Sequence, residues 1–157
     1  MDNDNAIAQC RAGNIDAFRH LVERYQTEAF GHALAILGSR ADAADAVQDA
    51  FVKAFRALDG FQAGRRFYPW FYTILRHGCF KLAQARMRRS CVDDADLLLL
   101  VPAESNHPSQ DVEQLEKALL RLAPQDRELI TLKHLDGLSY EELARRLEIP
   151  PGTVMSR

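Results

Sequence analysis

Apolar positions recur at a spacing near 3.6 along almost the whole chain, and no stretch shows the clean alternation of a half-buried strand. The pattern predicts an all-α protein. A short first helix covers about Asn5–Arg11 and breaks at Gly13. A second runs about Asn14–Leu37, with Asn14 as its N-cap and Gly38 as its stop. Its stripe is Ile15, Phe18, Val22, Tyr25, Ala29, Ala33 and Leu37. A third helix, about Asp42–Leu58, carries Val47, Phe51, Phe55 and Leu58 on one side, while Asp45, Gln48, Asp49, Val52 and Arg56 lie elsewhere on its surface. The glycines of Asp59–Gly64 predict a turn. Pro69 suits the first turn of a fourth helix that reaches Arg89.

The pattern then changes. Residues 92–110 hold two prolines and an acidic start and read as a linker. Within them Leu97–Val101 is an apolar run, too short to cross a membrane and suited to docking on an apolar surface. Helices follow near Asp111–Leu122, Gln125–Leu135 and Ser139–Leu147, with Pro124 opening the middle one. The expected organisation is two small helical domains, 1–91 and 111–157, joined by the linker 92–110.

The strongest local signal is LSYEELARRLEIPPGTVMSR, residues 138–157. Ser139 and Glu142 have capping-box spacing, each side chain meeting an orphan amide of the helix start. Leu143 and Leu147 supply an inward face, and Ala144 is small enough for close helix approach. The three residues Glu148, Ile149 and Pro150 connect to a new helix start at Pro151. This is helix-turn-helix spacing, in which the second helix enters the major groove by its N-terminal end. Ser139, Thr153, Ser156 and Arg157 are the candidate DNA-facing groups, and Val154 packs inward.

Charge changes the picture of the fourth helix. The net charge is −2, yet residues 61–92 hold seven Lys/Arg and no acid, between flanks with six against nine and seven against thirteen. A local basic stripe attracts phosphate whatever the chain average. At 100° per residue, Phe71, Leu75, Cys79 and Leu82 share the packed face, and Trp70, Thr73, His77, Phe80, Lys81, Gln84 and Arg88 gather on the other. Rings interleaved with cations suit unpaired DNA, where bases stack and cations follow the backbone. Tyr68, Trp70 and Phe80 also have the alternative of core packing.

Other chemistries find no seat. There is no phosphate-cradling glycine loop, no Ser/His/Asp set and no paired carboxylates, so neither an enzyme, a small-molecule substrate nor a cofactor is expected. His77 has no nucleophile or metal partner in the pattern. Cys10, Cys79 and Cys91 are widely spaced and read as reduced, semi-buried thiols. The 47% hydrophobic content supports packed cores, and the polar, acidic start MDNDNAIAQC does not read as a secretory signal. A cytoplasmic protein is expected.

Taken together, the two signals resemble a known family. Residues 43–89, AADAVQDAFVKAFRALDGFQAGRRFYPWFYTILRHGCFKLAQARMRR, resemble region two of the sigma-70 family, and the string LEKALLRLAPQDRELITLKHLDGLSYEELARRLEIPPGTVMSR, from Leu115, resembles region four. With nothing matching region three, the layout is similar to that of the extracytoplasmic-function (ECF) sigma factors. The resemblance implies that the chain binds core RNA polymerase and directs it to open promoter DNA. It implies that Asp45, Gln48 and Asp49 face the polymerase clamp. It also implies that Phe61, Arg65, Arg66, Trp70, His77, Phe80, Lys81, Gln84 and Arg88 capture a flipped base and the melted minus-ten strand. The helix-turn-helix would read the minus-thirty-five element, the acidic linker would thread the polymerase channel, and an anti-sigma factor, often at the inner membrane, would hold the protein inactive. Three departures stand out. His77 and Lys81 replace the Asn and Asp of the pattern RNxAxDxLRR, Met155 stands where Lys is frequent, and the chain stops at Arg157, which implies a C-terminally truncated recognition helix.

Two other readings fit parts of the pattern. A conventional helix-turn-helix regulator would act as a dimer on a two-fold operator but leaves the basic aromatic helix unexplained. A protein-interaction adaptor leaves the helix-turn-helix unexplained.

Overall fold

In the computed structural model the described residues are 2–62, 64–90, 114, 117–134 and 136–156, with backbone alone at 89 and 90. The linker, its Leu97–Val101 run, Cys91 and Arg157 lie outside them, so the expectations placed there stay expectations. Every described regular element is helical, as the 3.6 periodicity requires. We number the helices α1 (Asn3–Arg11), α2 (Ala17–Leu37), α3 (Arg40–Arg56), α4 (Phe67–Ser90), α5 (Pro124–His134), α6 (Tyr140–Leu147) and α7 (Pro151–Ser156). A 3₁₀ turn, Leu58–Gly60, follows α3, and residues 117–120 are helical.

The helix ends show where local chemistry wins. The Asp2 carboxylate accepts from the Asn3 amide and starts α1 two residues earlier than the apolar pattern indicates. Asn14 does not cap α2. Its carbonyl accepts from the Ala17 amide in a tight turn, its side-chain amide donates to Gln9 Oε1 at 3.1 Å, and the helix begins at Ala17 with no side-chain cap. Ser39, missed in the sequence, caps α3 by accepting from the Asp42 amide at 3.3 Å. Gly38 ends α2 in the left-handed region (φ 67°).

Helices α1 to α4 share one core. Leu21, Ile36, Phe67, Phe71, Tyr72, Leu75 and Cys79 are almost fully buried there. Aromatic rings tie the helices together: Phe51 stacks on Phe71 at 4.4 Å, Phe18 meets Phe55 edge-on at 5.1 Å, and Tyr25 stacks on Phe67 at 5.6 Å. Burial holds the Cys79 thiol protonated, its pKa pushed up to about 12. The α2 stripe is wider than expected and starts one turn later, with Val22 and Tyr25 packed at its edge. Ile15 is 68% exposed, while Leu21, His32 and Ile36 face inward with Phe18, Ala29, Ala33 and Leu37.

Helices α5 to α7 form a second, thinner layer around Leu129, Leu132, Leu143, Ala144, Leu147 and Val154. Helix α5 lies against α2, and Glu128 of α5 and Arg146 of α6 reach α4. Gly38 also faces Leu120: a Cβ there would sit 2.5 Å from Leu120 Cδ2, and that side chain would have to shift.

Candidate functional site

Three surfaces carry the residues singled out above. The first is α4 and the loop before it. His77, Lys81, Gln84 and Arg88 are exposed along one side of the helix, together with Thr73. Trp70 and Phe80 are half-buried. Arg65 and Arg66 are exposed in the loop, beyond Gly64 with φ 80°. Phe61 is enclosed where Arg65 and Arg66 are open. Its ring is 3% exposed and packs on Trp70 at 5.0 Å and on Phe67 at 6.1 Å. The Arg11 guanidinium donates to the Phe61 and Leu58 carbonyls, which fixes the turn. In the free chain Phe61 thus packs against Trp70.

The second surface is α6–α7. The capping box forms as its spacing demands: Ser139 Oγ accepts from the Glu142 amide at 3.2 Å, and Glu142 Oε2 accepts from the Ser139 amide at 2.8 Å. Those bonds hold the exposed Glu142 carboxyl below its ordinary pKa. Glu148 ends α6 in the left-handed region (φ 55°), and Pro151 opens α7. Leu143, Leu147 and Val154 turn inward, which leaves Thr153 half-buried and Ser156 and Met155 exposed. The Ser139 oxygen accepts in the cap, which leaves its O–H as the donor for a further contact.

The third surface is α3. Asp45, Gln48 and Asp49 are all exposed, and Asp49 meets Lys53 one turn on at 3.0 Å. Beside them, α2 and α3 leave an open groove of about 860 Å³. Phe18, Val22, Phe30, Phe51 and Val52 line it, with Gln48 at its rim. A second hollow, between α3 and α4, brings Asp45 and Asp49 toward Lys81.

What the pattern did not reveal is the seam between the layers. His32, 4% exposed, sits between Tyr68 at 2.7 Å (Nδ1) and Asp136 at 2.8 Å (Nε2). A carboxylate only accepts, so Nε2 carries the proton toward Asp136. Glu128, 2% exposed, accepts at one oxygen from both Tyr72 Oη and Arg76 Nε, each at 2.6 Å. Arg146 lies over the Tyr72 ring at 4.7 Å and within 3.9 Å of Asp136. Arg127 donates to the Ile36 carbonyl at 2.6 Å. Burial and the nearby carboxylates raise both Tyr68 and Tyr72 far above the ordinary phenol range, so both hydroxyls stay donors. The signal was present: His32 and Glu128 each occupy an i, i+4 row with a buried apolar residue (Ile36 and Leu132), where a polar group needs a partner.

Comparison with known proteins identifies this arrangement. Residues 21–89 match Sigma-70 region 2 and residues 112–157 match Sigma-70, region 4. The chain is 37% identical over 168 residues to the ECF RNA polymerase sigma-E factor of Escherichia coli K12, covering 96% of this chain and 85% of that protein. It is 33% identical over 164 residues to the RNA polymerase sigma-H factor of Pseudomonas aeruginosa, with the same coverage. Its fold is similar to that of the sigma factor RpoE in complex with the anti-sigma factor NepR from Bartonella quintana, with a TM-score of 0.74, 26% identity, and 90% and 89% of the two chains covered. An engineered region 2 of sigmaE in complex with GTAAAA matches 57% of this chain and 93% of its own at 34% identity and a TM-score of 0.53. The chain belongs to the sigma-70 family, as an alternative sigma factor of the ECF type. Among the described residues, no helix is long and apolar enough to cross a membrane.

Proposed function

We propose that the two layers act as separate promoter-reading modules, 1–91 and 111–157, tethered by 92–110 and delivered to DNA by core RNA polymerase. The observation that carries this reading is the division of surfaces on one four-helix body. An apolar groove lined by Gln48 lies on α2–α3, Asp45 and Asp49 are exposed on the neighbouring side of α3, and a cationic face bearing Trp70 and Phe80 lies on α4. The groove and the α3 carboxylates beside it suit a basic helical partner on the polymerase clamp, with apolar contact supplying affinity and charge supplying register. The α4 face suits a melted strand: Arg65, Arg66, His77, Lys81, Gln84 and Arg88 follow the backbone while Trp70, braced by Phe61, offers a ring edge to a base. Thr153 in the first turn of α7 and Ser156 at the end of its described span, with Ser139 and Arg157, address duplex DNA.

The chain so read positions other molecules and performs no catalytic step of its own. It works in the cytoplasm, and an anti-sigma factor holds it off, at the inner membrane where that factor is anchored. One solved relative is an anti-sigma complex with the same fold over 90% of this chain, which supports such a partner here.

The deciding experiment mixes the purified chain with core RNA polymerase and measures one-to-one binding and capture of a pre-melted promoter fork. Tight binding with fork capture is expected, with charge reversal at Asp49 weakening core binding. Replacement of Trp70 and Phe80 by Ala should impair opening more than closed binding. A dimer that shifts duplex DNA without polymerase would overturn the reading in favour of a conventional regulator.

A further inference from the structure

Arg76 is a cation of α4 outside the strand-facing set of the helix, and its guanidinium meets α5. His77, Lys81, Gln84 and Arg88 are exposed, whereas the Arg76 side chain is only 32% exposed and reaches under α5. Its guanidinium lies over the Phe80 ring at 4.8 Å, so it already belongs to the aromatic platform. Its Nε donates to Glu128 Oε1 at 2.6 Å.

The Glu128 side of that pair is poorly satisfied. Oε1 takes both the Arg76 and the Tyr72 bonds, while Oε2 is buried with no hydrogen-bond partner among the described residues. A guanidinium and a carboxylate that met in a fork would use both oxygens. Here one oxygen is crowded and the other is stranded away from water, so the pair holds Arg76 without the geometry that would make it permanent. A phosphate offers the same guanidinium anionic oxygens that remain in water on their far side.

We propose that Arg76 is a further strand-binding residue of the α4 platform, held in reserve by Glu128. The carboxylate occupies the guanidinium while α5 lies on α4, and a phosphate of the melted strand takes its place when α5 lifts away. The remaining seam contacts, His32 to Asp136 and Arg127 to the Ile36 carbonyl, set how readily α5 lifts. This inference rests on the sigma-factor reading of α4, and it adds a link between release of the second module and strand capture by the first.

The test is a double-mutant cycle on the full chain, read by fluorescence anisotropy of a labelled single-stranded dT12. Glu128→Gln should raise the affinity of the free chain about three- to tenfold, as the freed guanidinium forms one charge-assisted bond to phosphate, and steepen the salt dependence by about 0.7 in log–log slope. Adding Arg76→Gln should abolish both effects, and Arg76→Lys should restore the slope but only part of the affinity, since Lys lacks the planar fork. Should Glu128→Gln loosen α5 altogether, Arg76 is freed all the same, so the tighter binding and its dependence on Arg76 are still expected. Unchanged affinity with Glu128→Gln, or an increase that survives Arg76→Gln, overturns the proposal. Fork capture by the wild-type chain with core polymerase is measured alongside. Capture without any Arg76 dependence of dT12 binding removes this assignment alone, whereas no capture removes the sigma-factor reading and this inference with it.

Discussion

Helices α1–α4 and helices α5–α7 reach order by different routes. The first group buries a connected set of rings, with Phe67, Phe71 and Tyr72 among its most enclosed side chains. The second holds no ring in its core among the described residues; Leu132, Leu143 and Val154 are its most enclosed side chains. Its helices have 11, 8 and 6 residues, lengths at which an isolated helix is marginal in water. What the second group lacks in apolar volume it replaces with local devices, the capping box and the turn at Glu148, and with polar contacts to the first group across His32, Tyr72 and Arg76. The ring-filled core makes the first group self-sufficient, whereas the second draws part of its order from contacts to the first.

Substitutions break that comparison in graded ways. Phe71→Ala removes a ring from the densest part of the core and should cost about 3–5 kcal/mol, unfolding α1–α4 at lower denaturant in circular dichroism. Leu143→Ala should cost about 2–4 kcal/mol but act on α5–α7 alone. Hydrogen exchange should then accelerate in those helices while α1–α4 amides keep their protection. Equal loss in both groups would show a single cooperative unit and dissolve the distinction.

Smaller changes sharpen it. Asp136→Ala strips His32 of its partner across the seam and should cost about 1–2 kcal/mol, visible as faster exchange in α5 and α6. Ser139→Ala removes one half of the capping box and should cost about 1 kcal/mol in α6. The smallest effect is a pH dependence. The folded-state pKa of Glu142 is depressed, so its stabilisation is complete above the ordinary Glu range and is lost as pH falls through the lower folded value. The helicity of α5–α7 should decline on acidification before that of α1–α4, and Glu142→Gln should flatten the difference.

The amphipathic periods were enough to read the seven described helices in nearly the right places, because each helix satisfies its backbone internally and its apolar stripe is a local property. Phe71, Leu75 and Cys79 on α4 were legible for that reason, as were the capping box and the inward turn of Val154. Errors came where short-range competition decided. Asn14 lost its cap to a tight turn, Asp2 and Ser39 capped helices unnoticed, Ile15 fell outside α2 and is exposed, and Leu21 joined the buried stripe. Half of the α4 site was likewise ambiguous from spacing alone. Whether a ring serves a base or a core depends on what lies across from it, and Phe61 proved to support Trp70 rather than share its exposure.

Helix content, the cationic side of α4 and the helix-turn-helix therefore follow from the sequence by itself, since each is set by residues within a few turns of one another. Only the tertiary structure decided the seam. His32 and Asp136 are 104 residues apart, Arg76 and Glu128 are 52 apart, and the bond of Arg127 to Ile36 spans 91. No local period records such pairs, because burying a charge is tolerable only beside a partner that chain folding alone brings near.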